Sequence, residues 1–265
     1  MRLPAIAAAG LPLLVALVAC RSEKAPSDDK APSDDEAVAE PAPSASPKAA
    51  SGTPPAAPPV VVFAAASMKE LLTEIAGDWE MATGRHVRFQ FEASSTLARQ
   101  IAEGAPADVF VTAAPEWLDK LKPIERYDWL SNRLVCVVRK ETADFDLERI
   151  ESLALANEQV PAGKYAKAAL AHLGIVPPER TIYGSNVRDV LSKVSQGGAA
   201  AGVVYATDAA VDPGVRIAYT FPAESHPRIL YSVGVLSENG RTFAAILRGR
   251  DSLATAIKFG FVELK

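Results

Sequence analysis

Four short stretches put small residues and hydroxyls where an extended run gives way to a helical one. They are Ala65-Ala66-Ser67, Ala93-Ser94-Ser95, Val160-Pro161-Ala162-Gly163 and Ser185-Asn186-Val187. The first N–H groups of a helix have no partner within it and lie at the positive end of its dipole. Turns of this kind fit an anion. Each one alone also reads as ordinary capping, because serine and asparagine are favoured N-caps. The collection says more than any member: two turns fall before residue 131 and two after it, and small neighbours let a ligand approach the backbone. Other chemistry finds little support. His86, His172 and His226 are far apart and show no metal-ligand spacing. No Gly-x-Ser-x-Gly elbow is present and no histidine motif lies near Ser67 or Ser94, so a serine hydrolase is not expected. A net charge of −4 argues against a nucleic-acid partner.

The elements that must hold these turns follow from periodicity. Val60–Phe63 is a strand of apolar β-formers. Residues 67–82 carry Leu71, Leu72, Ile75, Ala76 and Trp79 on one helical face, with Gly84 as the C-cap. Strands at 87–91 and 108–112 and short helices at 96–103 and 115–121 complete a βαβαβ order, which predicts a parallel sheet covered by helices on both faces. A second block begins near Ser131. It holds a strand at Asn132–Val138, helices at 161–173 and 187–196, and a buried strand at Gly202–Tyr205. Residues 229–236 read as a strand returning to the first block, and 241–260 as terminal helices. The expected fold is therefore α/β with two lobes, the second inserted in the first. Residues 60–130 with 231–265 form lobe 1, and 131–230 form lobe 2. The ligand is expected in the cleft, at the carboxyl ends of the strands.

The first 59 residues are of a different kind. Met1-Arg2 precedes an apolar run, 3–19, that reads as an export signal. It ends in Leu17-Val18-Ala19-Cys20, which resembles the lipobox of bacterial lipoproteins, so Cys20 is the expected site of lipid attachment. Residues 20–59 contain a tandem Lys-Ala-Pro-Ser-Asp-Asp repeat and nine prolines between Pro26 and Pro59. Such a segment buries too little apolar surface to offset its ordering entropy, and it is expected to act as a semi-extended spacer. The other cysteine, Cys136, then has no intrachain partner and is expected to be a buried, inert thiol.

The folded sequence also resembles a known family. The stretches VFAAASMKELL (62–72), ASSTLARQIAEGAPADVFVTAAPEWLDKL (93–121), NRLVCVV (132–138), VPAGKYAKAAL (160–170), NVRDVL (186–191), GVVYATDA (202–209) and FPAESH (221–226) occur in the order found in molybdate-binding periplasmic proteins of ABC transporters. The resemblance implies a type II periplasmic-binding-protein fold. It also implies a receptor that captures molybdate or tungstate and delivers it to a membrane permease. Carried over motif by motif, the oxyanion ligands are Ser67, Ser94, Ala162, Val187 and Tyr205, with Ser95 as the alternative to Ser94. Molybdenum enters only as the oxyanion, no cofactor and no catalytic residue is implied, and a monomer on the periplasmic side of the cell envelope is expected. The expected contact set holds no Arg, Lys or carboxylate, which favours a fully ionised tetrahedral dianion. Alternatives are a receptor for another oxyanion such as sulfate, or a lipoprotein that senses the anion or acts as an interaction module. The chain departs from the family pattern at Ala154–Gln159, which lacks a turn proline, and at Tyr231-Ser232-Val233-Gly234. Both departures bear on how the lobes close.

Overall fold

A computed structural model describes residues 57–264. The expected signal segment, Cys20 and the repeat-bearing part of the linker lie outside the described residues. Among the described residues no helix is long and apolar enough to cross a membrane.

The chain opens with β1 (Val60–Ala65), which runs through one turn of 3-10 helix (Ala66–Met68) into α1 (Lys69–Thr83). Leu71, Leu72, Ile75, Ala76 and Trp79 form the buried face of α1, as their spacing predicts, and Gly84 ends it at φ 68°. Then come β2 (Val87–Glu92), α2 (Ser94–Ala102), β3 (Val109–Thr112) and a one-turn α3 (Glu116–Asp119). β4 (Glu125–Ser131) follows, and the chain leaves for a second sheet. That sheet is built from β5 (Leu134–Arg139), β6 (Leu153–Ala156), β7 (Thr181–Gly184), β8 (Ala201–Tyr205) and β9 (Val215–Thr220). Its helices are α4 (Pro161–His172), α5 (Val187–Ser195) and α6 (Ala206–Val211). The chain then returns as β10 (Leu230–Val235), α7 (Arg241–Leu247), α8 (Arg250–Lys258) and β11 (Val262–Glu263).

The first sheet has the order β11-β4-β10-β3-β1-β2 and the second β7-β6-β8-β5-β9. β1 pairs in parallel with β2 and β3, which is the predicted βαβαβ core. The rest of the first sheet is not parallel: β10 inserts antiparallel between β3 and β4. All five strands of the second sheet fall between β4 and β10 in sequence, so the connection is made twice, once near Asn132 and once between β9 and β10. The fold is thus the two-lobed α/β architecture with the second lobe inserted in the first.

The sequence reading assigns no element to 125–131, which the structure makes β4. The segment mixes charge with aromatics and only its last three residues are buried, so its pattern lacks a clean period of two. The sequence reading likewise assigns no strand to the segments that form β6, β7, β9 and β11. Cys136 lies on β5, fully buried and free. Burial pushes its thiol up to about 12, so the thiolate that reacts is scarce. It should not react with an aromatic disulfide reagent in the folded protein, and should do so at once in denaturant. Fast labelling of the native chain at Cys136, told apart from Cys20 by peptide mapping, would show that β5 opens.

Candidate functional site

The turns singled out in the sequence meet. β1 and β2 each hand their chain to a helix at the carboxyl end of the first sheet. α4 and α5 start at the facing edge of the second. Between them is a small cavity lined by Ala66, Ser67, Ser94, Ala162, Val187 and Tyr205, among others. All five residues carried over by motif line it; Ser95 lines a separate groove instead. The cavity volume is about 20 Å³. A single water needs about 10–15 Å³ on that measure, so the cavity suits one compact ion.

The serines are not helix caps. The 3-10 turn that holds Ser67 starts from Ala65 and α2 starts from Ala93, and neither start has a side-chain cap bond. Ser94 Oγ instead accepts from the Ala113 N–H at 3.0 Å. With that acceptor position filled, its own hydrogen is left for the cavity. Ser67 Oγ lies 2.8 Å from the Tyr231 hydroxyl. Both serines are almost fully buried.

The second lobe contributes backbone. Asn186 is the N-cap of α5, and its Oδ1 accepts from the N–H groups of Arg188 and Asp189 at 2.9 and 3.1 Å. The N–H of Val187, one residue earlier, has no intrahelical acceptor. In α4, Pro161 takes the first helical position, where its missing N–H costs nothing, and Ala162 follows with a free N–H. Gly163 explains how this turn is so tight. A Cβ there would lie 2.1 Å from the Asn157 carbonyl oxygen and 2.5 Å from that of Ala156. Asn157 also closes the turn that lacks the family's proline: its N–H donates to Gly184 O at 2.9 Å and its carbonyl accepts from Val160 N–H at 3.0 Å.

Tyr205 ends β8 and is 1% exposed. Its ring meets Tyr165 and Tyr231 edge-on, with centroids 6.4 and 6.1 Å away. Among the described residues its hydroxyl has no hydrogen-bond partner, although a buried hydroxyl without one is costly. Burial holds its ionisation well above the ordinary tyrosine range, so the hydroxyl keeps its proton and is available as a donor.

Among the described residues no Lys or Arg lines the cavity, but Glu92 does. This corrects the expectation of a shell free of carboxylates. Its position directly before the Ala93-Ser94 turn was the available signal. Glu92 Oε1 accepts from the Ala93 N–H at 2.8 Å and from Asn186 Nδ2 at 2.5 Å. That oxygen is thereby tied into a seam between the lobes. The same seam holds Lys164 Nζ to Glu116 Oε1 at 3.1 Å, and Tyr165 Oη donating to Ala113 O at 3.2 Å. Arg188 closes it most firmly. Its guanidinium makes a bidentate pair with Glu70 of α1, at 3.0 and 2.5 Å, and its Nε faces Asp208 Oδ1 at 2.5 Å. Asp208 is fully buried. Burial raises its carboxyl to about 6 in spite of the arginine. The second departure from the family pattern sits at a bulge between β10 and β4, where Ser232 Oγ donates to Asp128 Oδ1 at 2.5 Å.

The protein-family model for bacterial extracellular solute-binding proteins matches residues 60–262. The molybdate-binding protein ModA of Escherichia coli K12 is 34% identical over 226 residues, covering 76% of this chain and 88% of that protein. ModA of Haemophilus influenzae is 33% identical, with 76% and 89% covered. Among solved structures, the periplasmic molybdate-binding protein of Azotobacter vinelandii superposes with a TM-score of 0.68. It is 24% identical and covers 78% of this chain and all of that one.

Proposed function

Since the chain belongs to the bacterial extracellular solute-binding proteins, we propose that it captures molybdate, and tungstate, in the cavity between its lobes and delivers the ion to an ABC transporter. One observation carries the reading: Tyr205, whose buried hydroxyl has no partner among the described residues, lines the same ion-sized space as the donor-bearing residues Val187, Ala162, Ser67 and Ser94. A tetrahedral dianion would give every one of those donors an acceptor. Hydrogen bonds to a charged group contribute about 1.5–3 kcal/mol each, so a handful of neutral donors supports tight binding without a cation. Nothing in the donor set supplies a nucleophile with a base beside it, and the role is binding rather than catalysis. Because each lobe supplies part of the shell, the ion favours the closed form by its differential affinity. A permease can then distinguish loaded from empty receptor.

The N-terminal sequence supports a tethered form of this receptor. Residues 1–19 would be removed, Cys20 lipidated, and residues 20–59 would let a body of lobe 1 (60–130 with 231–265) and lobe 2 (131–230) range near a membrane in the periplasm. Tethering raises the local concentration at a permease. The body would work there as a monomer.

Calorimetric titration of the whole protein with molybdate, tungstate, sulfate and phosphate tests the reading. Tight one-to-one heat with the first two, and none with sulfate, is the expected result. Heat from sulfate alone would move the substrate, and silence with all four would end the oxyanion reading. Tyr205→Phe should weaken molybdate binding roughly tenfold or more. It should leave the empty protein as stable as before or slightly more so, because the hydroxyl it removes has no partner. A variant that binds normally would remove Tyr205 from the shell.

A further inference from the structure

The bond between Ser67 and Tyr231 is drawn with either oxygen as donor, and its direction decides what Ser67 can offer the ion. Its neighbours resolve the choice. Asn132 Oδ1 accepts from the Arg133 N–H at 2.9 Å, which fixes the orientation of the amide. Its Nδ2 donates to Thr207 Oγ1 at 2.9 Å and to the Tyr231 hydroxyl oxygen at 3.2 Å. The Tyr231 hydroxyl is buried, and among the described residues the two polar atoms it reaches are Asn132 Nδ2 and Ser67 Oγ. An amide nitrogen cannot accept. The phenolic hydrogen must therefore go to Ser67, and the hydrogen of Ser67 is turned into the cavity.

We propose that Asn132 and Tyr231 are positioning residues that polarise a chain, Asn132 to Tyr231 to Ser67, so that Ser67 meets the bound oxyanion as a hydrogen donor. The inference rests on the reading of the cavity as an oxyanion site. It goes beyond that reading, because neither Asn132 nor Tyr231 lines the cavity. The chain also starts where the lobes connect. Asn132 follows the last residue of β4 and Tyr231 lies on β10, so the two strands that carry the crossovers are bonded to each other through the group that orients the ligand's serine. Burial keeps the Tyr231 phenol protonated far above neutral pH, so the chain holds its direction across the physiological range.

The test is a double-mutant cycle on the whole protein, read by calorimetry with molybdate and by thermal melts. Tyr231→Phe should weaken binding by roughly tenfold, the effect of losing direction in one charge-assisted bond. Ser67→Ala should weaken it at least as much. The double variant should be no weaker than Ser67→Ala alone, because the tyrosine acts through the serine. A merely structural role for Tyr231 would give additive losses, and that result, or unchanged affinity in a folded Tyr231→Phe protein, would overturn the proposal. Asn132→Asp keeps the shape and replaces a donor with an acceptor, so it should reverse the chain and weaken binding more than Tyr231→Phe. A folded Asn132→Asp protein that binds molybdate as the wild type does would also overturn it. If the wild-type protein binds no oxyanion, the site reading fails and takes the relay with it. If the wild type binds and the cycle is additive, only the relay fails.

Discussion

Replacing Gly163 with alanine should abolish molybdate binding and destabilise the fold by about 3 kcal/mol, at the upper end of what an overpacked site costs. The added methyl would sit 2.1 Å from Asn157 O and 2.5 Å from Ala156 O. Both are backbone atoms, held by Asn157 N–H donating to Gly184 O and by Val160 N–H donating to Asn157 O. Neither can swing aside as a side-chain tip would. The start of α4 must move away from the end of β6, and the Ala162 N–H moves with it. Urea unfolding and calorimetry would read the two effects together. An alanine variant with wild-type midpoint and affinity would mean that the turn is looser than its carbonyl contacts indicate.

Arg188→Met should cost about 3–5 kcal/mol, because it leaves a buried carboxylate without its cation. Methionine preserves the length of the stem, so most of the loss is electrostatic. The effect has a sign with pH. Asp208 is raised to about 6 from an ordinary 3.8. A group whose pKa is higher in the folded state binds its proton more readily there. Its contribution is fully present below the unfolded value and is lost as pH rises through the folded one. Without Arg188 the folded value climbs further. The variant should therefore be destabilised more at about pH 8 than at about pH 5. Equal losses at both pH values would show that Asp208 is not the group left exposed to the change. The same substitution also removes the bidentate pair with Glu70, which joins the lobes. Molybdate should bind more weakly at a given pH even where the fold is intact.

Much of the candidate site was legible because its residues, Tyr205 apart, are short and lie at junctions. A run of β-formers that ends in alanines and a hydroxyl marks a strand-to-helix turn whatever the tertiary context. The proline before Ala162 marks a first helical turn in the same way. Capping and binding could not be told apart in the sequence, since both call for the same residues. The distinction lies in where Ser94 Oγ finds its hydrogen, from Ala113 nineteen residues away in sequence. Glu92 had a signal in its place before the Ala93-Ser94 turn, but its partner, like that of Tyr231, was out of reach for a related reason. Each acts through a partner on another segment, Asn186 for the one and Ser67 for the other. β4 was missed because its stability comes from lying beside β10 and not from its own alternation.

The position of β10 has a consequence for how the molecule is made. β10 lies between β3 and β4 and is the bridge between β11-β4 and β3-β1-β2. It is also synthesised after the whole of the second sheet. A chain emerging from its N-terminus can pair β1 with β2 and β3, and can then finish the second sheet from contiguous sequence. It cannot seat β4 until β10 arrives to pair Val233 with both Val111 and Tyr127. Pairings of such long sequence separation carry a loop-closure cost before they yield contacts, and they fold slowly. The inserted lobe should therefore mature first. The first lobe's sheet, and with it the candidate anion site, is complete only once β10 is seated between β3 and β4.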